Sequence, residues 1–102
     1  MKNTEEEILA LLIVNKKSFA NAYQLCKILA WKFKLINCDE IIKRIKQKNY
    51  VECSFPISKT LTYFQITDGG KIILSENYLS LIETLKIEYP EEIKFVSKLG
   101  KL

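Results

Sequence analysis

The hydrophobic period of this chain changes once near Asn49, and that change constrains the fold more than any other feature. Before Asn49 the apolar residues recur at helical spacing. After it, Val51, Cys53 and Phe55 alternate with Tyr50, Glu52 and Ser54, and Phe64 and Ile66 alternate with Tyr63, Gln65 and Thr67. Two short period-2 runs joined by the turn-like Pro56-Ile57-Ser58-Lys59 predict a β-hairpin. The helical pattern returns at Thr67-Asp68-Gly69-Gly70, with Thr67 or Asp68 as cap, and runs to about Glu88. Pro90 interrupts it, and Glu91-Glu92 start a short terminal helix.

Three helices are predicted before the hairpin. Thr4 followed by Glu7 has the pattern of a capping box, and three acids in the first turn suit the helix dipole. The first helix is expected from about Glu5 to Val14, deeply buried because Ile8 to Val14 is unbroken apolar sequence. Asn21 with Gln24 repeats the cap pattern and predicts a second helix over Ala22 to Phe33, with Trp31 at the edge of its apolar face. Asn37 with Glu40 predicts a third from Cys38 to near Lys48-Asn49, on the narrow stripe Ile41, Ile42 and Ile45. The order is helix, helix, helix, hairpin, helix, an α+β class that is mostly α. A length of 102 residues suits one domain. Residues 4–67 would form its three-helix core and hairpin, and 68–102 a C-terminal helical segment.

Composition removes several function classes. The chain is 48% apolar and 27% charged, the balance of a globule, and it has no histidine. That excludes His-based triads and His-containing zinc sites. Cys26, Cys38 and Cys53 are odd in number and lack a C-x-x-C spacing, which argues against a disulfide framework and against zinc. They read as small buried residues in a reducing compartment. The acidic groups Glu5–Glu7, Asp39/Glu40 and Glu91/Glu92 all fall at predicted helix starts, and Gly69-Gly70 is not a phosphate loop. The expectation is a non-enzyme with no cofactor and no metal. The apolar run is far shorter than the roughly 18 residues of a membrane span, and the acidic start is unlike a signal peptide. A cytoplasmic protein without membrane contact is expected.

The formal charge is +4 and is unevenly placed. Residues 27–59 hold eight cations against three acids, while the segments on either side are close to neutral. Such a concentration is a footprint of polyanion binding. Lysine outnumbers arginine, whose one copy is Arg44, and Ile and Asn are abundant, which fits an AT-rich genome. That bias raises lysine everywhere but does not cluster it.

The stretch Tyr63-Phe64-Gln65-Ile66-Thr67-Asp68-Gly69-Gly70-Lys71-Ile72-Ile73-Leu74 resembles the wing-exit motif Y-x-L-T-x-x-G-x-x-x-L of small MarR-like and PadR-like transcriptional regulators. The resemblance implies a winged helix-turn-helix domain in which Phe64 and Ile66 point into the core, Thr67 caps the next helix and Gly70 lets it lie on the sheet. Lys48-Asn49-Tyr50-Val51 is similar to the end of a recognition helix, with Asn49 in place of the usual left-handed glycine.

On this reading double-stranded DNA is the expected partner. Opposite the isoleucine stripe lie Glu40, Lys43 and Gln47, flanked by Asp39, Arg44 and Lys46. Lys43, Arg44, Lys46 and Gln47 are candidate DNA contacts, with Lys59 in the wing as a further phosphate contact. Lys16, Lys17 and Lys27 could add phosphate contacts. Asp39 and Glu40 oppose DNA at the helix start. Winged helices also serve as protein-binding modules; the alternative is therefore an interaction module that uses Trp31, Tyr50 and Tyr63, and a third option is an RNA binder. The last long helix has more apolar surface than one face holds. Ile72, Leu79 and Ile82 suit one face, and Leu74, Tyr78, Leu81, Leu85 and Tyr89 extend around to another, where a two-fold homodimer interface is expected.

Overall fold

The computed structural model describes residues 1–16, 21–54 and 63–99. Among these, α1 spans Asn3–Lys16, α2 Ala22–Phe33, α3 Cys38–Gln47, β1 Val51–Ser54, β2 Tyr63–Ile66 and α4 Asp68–Glu88. A 3-10 turn at Pro90–Glu92 leads into α5, Ile93–Lys98. The strands pair antiparallel in the register Val51↔Ile66, Glu52↔Gln65, Cys53↔Phe64 and Ser54↔Tyr63. An isolated bridge between Asn21 and Tyr63 fastens the start of α2 to β2. This is the α+β, mostly helical arrangement that the sequence predicts. The expected strand residue Phe55 and the link 56–62 lie outside the described residues.

Helix α1 is the central post. Every residue from Glu6 to Val14 is buried, so the helix is enclosed on all sides rather than amphipathic. Leu25, Leu29 and Phe33 of α2, Ile41 and Ile45 of α3, Phe64 of β2 and Leu74, Leu81 and Leu85 of α4 complete the core. Phe33 also meets Tyr89 edge-on at 5.4 Å, which ties the end of α2 to the end of α4. Phe64 is buried, Ile66 is half-buried against the core and Gln65 is exposed. The alternation of β2 therefore follows the wing-exit motif.

Helix boundaries follow local chemistry, with two departures from the sequence reading. Asn21 and Gln24 form the expected box, with Gln24 N donating to Asn21 Oδ1 at 2.8 Å and Asn21 N to Gln24 Oε1 at 3.4 Å. Thr67 Oγ accepts from Gly70 N at 3.0 Å and donates to the Asn49 carbonyl at 2.7 Å, so it joins α4 to the end of α3. Asn49 takes φ 59°, the left-handed value expected of it. The predicted boxes at Thr4/Glu7 and Asn37/Glu40 do not form. Helix α1 begins at Asn3, two residues before the expected Glu5, with Glu5 accepting from Lys2 N at 2.9 Å. Glu7 and Asn37 turn instead to a charged network between α1 and α3. A capping pattern states only what a side chain can do locally, and here a buried charge elsewhere competes for it.

Two further corrections concern packing. Cys26 and Cys38 are joined in a disulfide with Cα atoms 5.4 Å apart, so only Cys53 is a free thiol. Parity of the cysteine count carried no information here, because the turn between α2 and α3 folds a separation of twelve residues back on itself. Leu74, Leu81 and Leu85 lie in the chain's own core, not on a surface available to a partner. Tyr78 and Tyr89 are half-buried against that core. Gly70 explains the rotation of α4. A Cβ there would stand 2.2 Å from the Tyr50 carbonyl oxygen, so this side of the helix must face inward. Positions 74, 81 and 85 follow on the same face at helical spacing. The large apolar side chains that α4 leaves exposed are Ile72, Leu79 and Ile87.

Candidate DNA-binding face

Helix α3 is positioned by an apolar side and an ionic side. Ile41 and Ile45 are buried, and Ile42 is half-buried against the core. Beside them, Arg44 reaches α1. Its Nε donates to Glu7 Oε2 and its Nη2 to Glu6 Oε1, both at 3.2 Å. Lys48 Nζ donates to Glu7 Oε1 at 2.7 Å, and Asn37 Nδ2 to Glu6 Oε1 at 3.3 Å. Glu6 and Glu7 are 7% and 3% exposed, so these donors replace the water that the two carboxylates have lost. Arginine suits the place because its planar fork can serve two carboxylates at once.

The guanidinium of Arg44, expected at DNA, is engaged by the two glutamates of α1. Lys43, Lys46 and Gln47 lie on the opposite side and are exposed, together with Asp39 and Glu40 in the first turn. The structure thus brings three of the predicted contact residues onto one solvent-facing surface. Lys59 and Lys17 lie outside the described residues. Lys16 is exposed at the end of α1. Lys27 lies on α2, its Nζ 4.5 Å from the centre of the Trp31 ring. Trp31 is 69% exposed, whereas Tyr50 and Tyr63 are half-buried.

Sequence reasoning missed Glu6, Glu7 and Lys48 as parts of this site. A signal existed. A helix with Ile8 to Val14 unbroken must be enclosed, and two carboxylates adjoining that run need buried cationic partners. The chain's single arginine was the natural candidate.

Among the described residues no group of three or more His, Cys, Asp or Glu side chains could hold a metal ion. No described helix is long and apolar enough to cross a membrane. No protein-family model matches the chain, and no curated protein matches it. Among solved structures, the adhesin competence repressor AdcR of Streptococcus pyogenes, a MarR-family winged-helix regulator, is similar over 97% of this chain and 71% of its own. The TM-score is 0.55 and the sequence identity 26%. With three packed helices, a two-stranded hairpin and a long helix returning over α1, the chain is a winged helix-turn-helix domain resembling the MarR-type regulators.

Proposed function

We propose that the protein is a DNA-binding transcriptional regulator that acts as a homodimer in the cytoplasm. The observation that carries this reading is the division of α3 into two sides. One is locked to α1 by Ile41, Ile45 and Arg44, and the other presents Lys43, Lys46 and Gln47 to solvent. In this reading α3 enters the major groove, where lysine donates to guanine acceptors and glutamine pairs with adenine. The similarity to a repressor supports it. Two copies related by a two-fold axis would place two such helices on successive turns of DNA. The exposed Ile72, Leu79 and Ile87 of α4 are the surface proposed for pairing.

A shift assay with DNA from upstream of the protein's own coding region tests the function. Binding there at least about a thousandfold tighter than to unrelated DNA is expected of a specific regulator. Equal affinity for both contradicts it.

A second reading rests on Trp31. An exposed tryptophan with a lysine over its ring is the kind of residue that anchors a protein interface. Capture of a protein partner that Trp31→Ala abolishes, with no DNA binding, would favour this reading.

A further inference from the structure

The corner between α2 and α3 carries a covalent bond that neither groove reading nor core packing requires. Cys26 lies in the second turn of α2, and Cys38 is the first residue of α3. The later part of α3 is held by Arg44 and Lys48 on Glu6 and Glu7. At its start, Asn37 gives no side-chain cap because its amide has turned to Glu6. The bond to Cys26 fastens that turn to α2.

The bond lies at the margin of the core. Cys26 is half-buried and Cys38 is 7% exposed. A hollow of about 400 Å³ opens beside them, lined by Cys26, Ala30, Leu35, Ile36, Cys38 and Asp39. Ile36 on its rim is 97% exposed. A small thiol therefore has a path to Cys26 Sγ, which a disulfide sealed within a core would not offer.

We propose that Cys26–Cys38 is a thiol–disulfide exchange site whose substrates are low-molecular-weight thiols, and that its state sets the grip on the first turn of α3. A thiolate attacks Cys26 Sγ, the Cys26–Cys38 bond breaks, and its electron pair leaves on Cys38 Sγ, which takes a proton. A mixed disulfide remains on Cys26. A second thiolate attacks the small-molecule sulfur of that mixed disulfide, releases Cys26 as a thiol after protonation, and leaves as a symmetric disulfide. The protein disulfide gains two electrons and two protons, and two small thiols lose them. The same steps run backwards with a low-molecular-weight disulfide close the bond again. The closed form holds α3 in the winged-helix posture and is the DNA-competent one. This last effect rests on the function proposed above, whereas the chemistry at sulfur does not. Trp31, the chain's single tryptophan, lies within the loop that the bond closes and reports on it directly.

The full chain, oxidised in air, is incubated with millimolar reduced glutathione and then labelled with a maleimide in denaturant. The mass counts free thiols: one, Cys53, with the bond closed, and three with it open. Trp31 emission and affinity for labelled upstream DNA are followed in parallel. The expected result is a rise from one adduct to three with far-ultraviolet circular dichroism unchanged, a changed Trp31 emission, and DNA affinity lowered about tenfold. Oxidised glutathione should restore all three readings. Cys26→Ser combined with Cys38→Ser should show the reduced values of emission and affinity at every glutathione ratio. One adduct throughout, or three only after the circular dichroism is lost, shows a fixed staple and overturns the proposal. Three adducts with unmoved emission and affinity overturn it as well. If adducts and emission change together while DNA is bound in neither state, the exchange site stands and the DNA reading falls.

Discussion

The Arg44 guanidinium spans two buried carboxylates between α3 and α1. Arg44→Ala would leave Glu6 without its charged partner and Glu7 with Lys48 alone. Because the arginine side chain is 22% exposed and water can reach part of the gap, the expected loss is about 1–3 kcal/mol in urea unfolding. Arg44→Lys should recover less than half, since one ammonium cannot span both carboxylates. A second residue gives a pH signature. The Thr84 hydroxyl, and after it the Lys2 amide, hold the Glu5 carboxyl below its ordinary range by hydrogen bonding. With the folded pKa below the unfolded one, this contribution is complete above the unfolded value and is lost as pH falls through the folded one. In a carboxyl NMR titration, Thr84→Val should move Glu5 upward. An unmoved Glu5 would show that the hydroxyl is not the cause.

At the scale of elements, the rotation of α4 decides which surface the molecule offers. Gly70→Ala would drive a methyl group against the Tyr50 carbonyl and Ile66 Cγ1, at 2.2 and 2.8 Å. Backbone cannot yield as a flexible side chain can, so a destabilisation of about 1–3 kcal/mol is expected, read as a lower unfolding midpoint. The same rotation separates two double variants. Leu81→Glu with Leu85→Glu buries charge and should unfold the chain. Leu79→Glu with Ile87→Glu lies on the exposed side and should leave the monomer folded while abolishing any dimer seen by light scattering. A folded, dimeric Leu79/Ile87 variant would place the pairing surface elsewhere. Element order and type were legible from the period change at Asn49 and from the Asn21 and Thr67 caps. The facing of α4 was not, because Ile72, Leu79 and Ile82 form as good a helical stripe as Leu74, Leu81 and Leu85. What distinguishes them is the close approach of Gly70 to Tyr50, which joins residues distant in sequence.

For the molecule as a whole, the basic residues of α3 and its end have two fates. Arg44 and the half-exposed Lys48 pair with Glu6 and Glu7 of α1, and Lys43 and Lys46 remain outside. Charge counting located the basic segment but could not apportion it, since that depends on the burial of Glu6 and Glu7. The disulfide was hidden for a related reason: spacing along the chain does not report proximity across a turn. The central claim is that the outward side of α3 grips DNA, and anisotropy titrations over a range of salt concentrations test it most directly. For the parent chain, the logarithm of the binding constant should fall linearly with the logarithm of salt. Lys43→Glu with Lys46→Glu should retain the fold, bind far more weakly and flatten that slope by about one for each phosphate that the variant no longer neutralises. A double variant that binds the same DNA with the parent's affinity and slope at matched salt would contradict the account.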